Sequence, residues 1–270
     1  MLPRAATRSD MCHADDSNPP PLPDDLVLAL PPLAGGAAAE ITTATSADGT
    51  PFSVALALSS QPREPAVVIV PDVRGLYRFY AELAERFAAA GHHAIAIDPF
   101  GRTAGAPGER DADWDFWPHV RQTTPAQLQQ DIHAATHVLR ERGAAPTFAV
   151  VGFCFGGAHA FLAATNPDIG LSRAVGFYGK LGDGSRLGIP SPAEEAVHTQ
   201  MPVLGLFGGA DEGIPEADRA KFAESLRTAG VDHEIHVYPD APHSFFDRKQ
   251  DQFADASADA WRRTLAFLAD

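Results

Sequence analysis

The stretch Phe148-Ala149-Val150-Val151-Gly152-Phe153-Cys154-Phe155-Gly156-Gly157-Ala158-His159-Ala160 constrains the fold more than any other part of the chain. Its first half is an apolar, partly β-branched run that reads as a buried strand. It breaks at Gly152-x-Cys154-x-Gly156-Gly157 into small apolar residues that read as a helix. A side chain on such a corner stands at the carboxyl end of a sheet, in a turn so tight that only glycine fits two residues to either side. The helix that follows aims its amino terminus at the same spot, and its partial positive charge and unpaired N–H groups favour a thiolate and later an oxyanion. Alone, the motif has a plainer reading: Cys154 is a small buried hydrophobe beside glycines that let helix and strand pack closely.

The chain on either side places this corner in a repeating pattern. Glu40 to Thr45 and Phe52 to Leu58 read as two strands joined at Asp48-Gly49, an antiparallel hairpin at the edge of a sheet. Beyond it strands alternate with helices. Ala66 to Val70 is followed by a helix over Phe79 to Ala90 that Gly91 closes, and then by a strand from His93 to Ile97. A polar, Trp-containing loop runs from Phe100 to Thr123. Thr124-Pro125-Ala126-Gln127 then supplies an N-cap, a first-turn proline and a capping-box glutamine for a helix reaching about Arg142. After the corner come strands at Ala174 to Tyr178, Pro202 to Phe207 and Glu234 to Tyr238, with helices at Glu216 to Ala229 and Phe253 to Ala269. The pattern predicts an α/β fold: a mostly parallel central sheet, helices on both faces, an antiparallel N-terminal edge, and ligands bound at the carboxyl ends of the strands.

Composition narrows the partners. With 270 residues the chain has room for one sizeable domain, read here as residues 26–270 behind a Pro-rich tail, residues 1–25, whose run Ser17 to Pro23 is expected to bury no apolar surface and to stay disordered. A formal charge of −14 argues against nucleic acid and against an anionic membrane surface, both of which need clustered Lys and Arg. The only cysteines are Cys12 and Cys154, and the first lies in that tail, so no disulfide framework is expected and a reducing compartment fits. No secretory h-region and no membrane-length apolar run is found, and a soluble cytoplasmic protein, a monomer or small homo-oligomer, is expected. No Walker-type or dinucleotide glycine pattern implies a nucleotide. His133 and His137 lie four apart on a helix, but no Glu follows His133 and no third ligand is evident, so neither metal nor other cofactor is expected.

If Cys154 is a nucleophile it needs a base, and the base needs an orienting acid, each on a loop after a strand. Gly208-Gly209-Ala210-Asp211 follows one strand and Pro239-Asp240-Ala241-Pro242-His243-Ser244-Phe245 follows another, giving Asp211 and His243 in the chain order nucleophile, acid, base. Singly, Asp211 reads equally as a turn residue and His243 as one of 11 histidines in a loop. All three falling just beyond apolar strands in that order is hard to ascribe to accident.

Together, Gly152-Phe-Cys154-Phe-Gly156-Gly157, the Gly209-Ala-Asp211 loop and Pro242-His243-Ser244-Phe245 resemble the dienelactone hydrolase family, over nearly everything from about Glu40 onward. The resemblance implies an α/β-hydrolase fold, a Cys154, His243, Asp211 triad, no cofactor, and cleavage of a small-molecule carboxylic ester or lactone through an acyl-enzyme. It further implies that Asp72, where well-known members have glutamate, holds the thiol until substrate arrives. The N–H groups of Val73 and Phe155 would form the oxyanion hole, and Arg102 would bind a substrate carboxylate. A second substrate arginine, four residues after the histidine in the family, is replaced here by Asp247, with Arg248 beside it. Tyr178, Trp114 and Trp117 are placed around the pocket, the two tryptophans as a roof or as pins that hold their loop to the core. The competing readings are a catalytically silent binding protein using the same pocket, and a thioesterase or short-chain esterase using the same triad.

Overall fold

The computed structural model describes residues 18–23, 38–111, 113–144 and 146–270. Among the described residues one sheet has eight strands: β1 Glu40–Thr45, β2 Pro51–Ala57, β3 Ala66–Val70, β4 Ala94–Ile97, β5 Phe148–Phe153, β6 Arg173–Phe177, β7 Val203–Gly208 and β8 His233–Tyr238. Their order is β1-β2-β4-β3-β5-β6-β7-β8, antiparallel for β1, β2 and β4 and parallel from β4 through β3 to β8. The interior strands β3, β4 and β5 are buried at every residue, which is why they read as unbroken apolar runs rather than alternating ones.

The helices are α1 Arg78–Ala89, α2 Gly101–Ala104, α3 Trp117–Val120, α4 Pro125–Glu141, α5 Phe155–Ala163, α6 Pro192–Glu195, α7 Glu216–Ala229 and α8 Ala254–Ala269, and they cover both faces of the sheet. Local chemistry sets their ends. Thr124 and Gln127 form the reciprocal capping box at the start of α4, with Pro125 in its first turn. Gly91 closes α1 at φ 102 and Gly230 closes α7 at φ 72. The loop expected from Phe100 to Thr123 contains the single-turn helices α2 and α3, too short to leave a period in the sequence. Aromatic rings fill the centre beneath the corner: Phe153 stacks on Phe177 at 4.6 Å, Phe177 meets Phe246 at 4.6 Å, and Trp261 of α8 meets Phe87 at 4.7 Å.

Most of the tail expected to be disordered, with Cys12, lies outside the described residues. Residues 18–23 correct the expectation that the proline run buries nothing. Pro19, Pro20, Leu22 and Pro23 are buried, Leu22 joins the main core at 8 % exposure, and the side-chain Oδ1 of Asn18 accepts a bond of 3.2 Å from the Arg78 guanidinium. Such a run cannot build a core, but its prolines and leucine can add to one that already exists. Among the described residues no helix is long and apolar enough to cross a membrane.

Candidate active site

The corner after β5 has the geometry its sequence predicts. Cys154 stands between β5 and α5 at φ 52 and ψ −109, with its N–H bonded to the carbonyl of Phe177 at 3.0 Å. A Cβ on Gly152 would lie 2.0 Å from the carbonyl oxygen of Gly156, and one on Gly156 would lie 2.0 Å from that of Val70, so strand, corner and helix touch backbone to backbone. Among the described residues the non-glycine residues with positive φ are Cys154, Tyr178 and Ser244, the last two at 39 and 61. Each costs of order 1–3 kcal/mol unless its surroundings hold it, and all three lie at this one site.

The loops after β7 and β8 are pressed together, which brings Asp211 to His243. A Cβ on Gly208 would meet the Ala241 carbonyl oxygen at 2.2 Å and one on Gly209 that of Pro239 at 2.4 Å, while Ala210 N–H donates to Ala241 at 3.0 Å. Across this seam Nδ1 of His243 and Oδ2 of Asp211 are 2.6 Å apart, with Asp211 buried and its Oδ1 accepting from Gly213 N–H at 2.9 Å. Burial presses the His243 imidazole down, but the sulfur of Cys154, by charge and hydrogen bonding, and the Asp211 carboxylate hold it well above the ordinary value. The three residues named from the sequence therefore converge. His159, the other imidazole near the corner, is buried against the Phe155 ring at 4.4 Å, and burial pushes it down to about 3.

Two backbone donors and one ring complete the surroundings of the corner. Among the described residues neither the Val73 nor the Phe155 N–H has an acceptor within the chain, the latter being at the first position of α5. The Tyr178 ring, fully buried, lies 5.0 Å from that of His243, and its hydroxyl donates to Oδ2 of Asp247 at 3.2 Å.

Two expectations change, and one of the two readings of Trp114 is selected. Arg102 is not free to take a substrate carboxylate: its Nε donates to Asp48 at 2.8 Å, one terminal nitrogen to both oxygens of Asp131 at 2.8 and 2.7 Å, and the other to Ser46 at 2.8 Å. It ties the β1–β2 hairpin to α4, a partner set that no local spacing announces. Asp72 has a different partner from the expected thiol. Both its oxygens accept from Arg74, at 3.1 and 3.0 Å from Nε and 2.5 Å from a terminal nitrogen, and Oδ1 also accepts the Arg74 N–H at 2.8 Å. Burial presses the Asp72 carboxyl upward, but the Arg74 guanidinium more than offsets it and holds the group below its usual range. Trp114 is a pin: its indole N–H donates to the Arg74 carbonyl at 2.8 Å and its ring lies 5.1 Å from that of His119. Trp117, half-buried at the start of α3, packs on Phe116 at 5.3 Å.

Arg74 and the burial of Asp247 were not read from the sequence, although a charged Asp-x-Arg ahead of Gly75 and an aspartate directly after the Phe245-Phe246 pair are the signals that mark them. The imidazoles of His133 and His137 lie 3.2 Å apart at Nε2, and among the described residues no three metal-ligating side chains cluster. A cavity of about 410 Å³ lined by Gly182, Ser191, Asp218 and Lys221 touches none of Cys154, Asp211 and His243.

The geometry can now be set beside known proteins. The family model of the dienelactone hydrolase family matches residues 52–270. A Salmonella typhimurium protein named "Putative carboxymethylenebutenolidase" is 33% identical over 240 residues, 87% of this chain and 88% of its own length. A Bradyrhizobium protein named "Probable 2-oxo-3-(5-oxofuran-2-ylidene)propanoate lactonase" is 30% identical over 211 residues, 76% of this chain and 84% of its own. Among solved structures, "Putative Dienelactone Hydrolase from Klebsiella pneumoniae" superposes with a TM-score of 0.73 at 30% identity, over 86% of this chain and 99% of that one. With the corner, the sheet order and the two loops as described, the chain belongs to the dienelactone hydrolase family of α/β-hydrolases.

Proposed function

We propose that this hydrolase cleaves small carboxylic esters or lactones through a Cys154, His243, Asp211 triad and an acyl-enzyme. The observation that carries the reading is the 2.6 Å contact between His243 Nδ1 and Asp211 Oδ2, which leaves the other ring nitrogen for the sulfur of Cys154 at a strained corner. The Cys154 thiolate attacks the carbonyl carbon, and the oxygen, now an anion, is held by the N–H groups of Phe155 and Val73 at the amino end of α5. The imidazolium of His243, oriented by Asp211, gives its proton to the departing alkoxide as the C–O bond breaks. A thioester remains on Cys154. His243 then takes a proton from water, the hydroxide adds to the thioester, and collapse releases the acid and restores the thiolate–imidazolium pair.

No metal or cofactor enters this sequence of steps. A lactone substrate opens in the first half of the cycle and leaves in the second, and the lactonase named among the relatives supports that class. Carboxylate recognition is not assigned to Arg102, whose donors are engaged.

The test is a pre-steady-state burst of nitrophenol from p-nitrophenyl acetate. Wild-type protein is expected to release about one equivalent rapidly, and Cys154→Ala to lose the burst and at least about a thousandfold of turnover. Full turnover by Cys154→Ala on every ester tried would defeat the mechanism, and absence in the wild type of both the burst and rapid alkylation of Cys154 would favour a binding protein.

A further inference from the structure

The loop after β3 and the loop after β8 meet at one guanidinium. Arg74 is 6 % exposed, gripped by Asp72 in its own loop, and its terminal nitrogen lies 3.8 Å from Oδ2 of Asp247 in the histidine loop. Its face covers the Tyr77 ring at 4.1 Å and its carbonyl takes the Trp114 indole N–H. Asp72, Asp247 and Tyr178 have no exposed surface, so Arg74 stands between two carboxylates in a region without solvent, with Arg248 facing the other oxygen of Asp247 at 3.9 Å. The network lies against the corner: a Cβ on Gly156 would meet the Pro71 carbonyl oxygen, one residue before Asp72, at 2.4 Å, and Tyr178, bonded to Asp247, has its ring 5.0 Å from that of His243. Burial and the charges of Asp247, Asp72 and Cys154 hold the Tyr178 hydroxyl well above its ordinary value.

We infer that Arg74 is a positioning residue of the site: held by Asp72 and facing Asp247, it ties the loop that carries the Val73 N–H to the loop that carries His243, and offsets the buried Asp72 charge beside Cys154. This rests on the hydrolytic reading of Cys154 and His243 given above. The ionisable groups around Cys154 are His243 on Asp211 from the histidine loop, Tyr178 from the end of β6, His159 from α5, and, beyond Tyr178, Asp72, Arg74 and Tyr80 from the β3 side and Asp247 with Arg248 from the β8 side. Burial presses the Asp72 carboxyl upward, but Arg74 holds it below its usual range. Burial, with Asp72 adding to it, keeps Asp247 above its usual range even against Arg74. Without the guanidinium, negative charge developing on the sulfur and the substrate oxygen would face an uncompensated Asp72 at low dielectric.

Iodoacetamide labelling of Cys154 at pH 7 and turnover of p-nitrophenyl acetate are measured on the full chain in a Cys12→Ser background, which leaves one thiol. Arg74→Met removes the charge and keeps an unbranched side chain over Tyr77. It is expected to slow labelling and kcat about tenfold each while KM stays within about twofold. Arg74→Lys keeps labelling near wild type and loses kcat, because an ammonium cannot replace the fork on Asp72. Adding Asp72→Asn to Arg74→Met restores labelling, since the charge balance returns, but not kcat. A folded Arg74→Met with wild-type labelling and kcat overturns the inference, and so does a double variant that labels no faster than the single one. Should Arg74→Met fail to fold, Asp72→Asn alone decides: labelling about threefold faster supports the charge balance, and unchanged or slower labelling overturns it. Full ester turnover by Cys154→Ala would instead remove the hydrolytic reading, while labelling still judges the role of Arg74.

Discussion

In the proposed mechanism the chemistry turns on His243, whose Nδ1 lies 2.6 Å from the carboxylate of Asp211 and whose imidazole feels the charge of the Cys154 sulfur. In Asp211→Asn the ring nitrogen loses its charged acceptor and the imidazole is free to take the wrong tautomer. We expect kcat to fall by about 10³–10⁴, with KM changed little, in steady-state kinetics on p-nitrophenyl acetate. Stability should report the same pair. His243 binds its proton more tightly in the folded chain than at the ordinary 6.5 of a free imidazole. The stabilisation is therefore complete below about pH 6.5 and is lost as pH rises through the raised folded value. The Tm difference between wild type and His243→Gln should accordingly be largest near pH 6 and shrink as pH is raised, as a thermal-melt series can show. The three residues proposed as a triad were legible because each follows an apolar strand. Arg74 was not, because its partner Asp247 comes from a loop far along the chain that meets it only in the folded state.

At the scale of elements, the antiparallel hairpin is held to the parallel sheet by more than its own ladder. Arg102, on α2, bonds Asp48 and Ser46 from the β1–β2 turn and Asp131 from α4, and Asp131 is fully buried. Arg102→Ala leaves that carboxylate without its partner. We expect a loss of about 3 kcal/mol in urea denaturation, with KM for carboxylate-bearing and neutral esters changed to the same small extent. A selective rise in KM for the charged esters would return Arg102 to the substrate. The hairpin, the capping box of α4 and the glycine-flanked corner were visible in advance because each is specified by residues adjacent in sequence. What Arg102 faces was not, since the strand–helix pattern says where it starts but not which way a one-turn helix will aim it.

Across the molecule, the parallel strands among the described residues bring the Cys154, Asp211 and His243 loops to the carboxyl end of the sheet, with the β3 loop beside them. Residues 18–23 add Leu22 to the outside of that body. Leu22→Ala should lower stability by about 2 kcal/mol and Tm by roughly 5 °C, measured by differential scanning calorimetry, and an unchanged Tm would show that the segment does not pack there in solution. The amino-acid sequence by itself determined the alternation of strands and helices, the corner at Cys154 and the order of the three reactive residues. Those depend on periodicity, on glycine and on short-range turn chemistry, all of which act between neighbours along the chain. Only the tertiary structure decided which groups meet: Arg102 with the hairpin and α4, Arg74 with Asp247, Leu22 with the core. Such pairings join residues distant in sequence, and an ion pair or an apolar contact depends on distance in space, which no pattern of neighbours encodes.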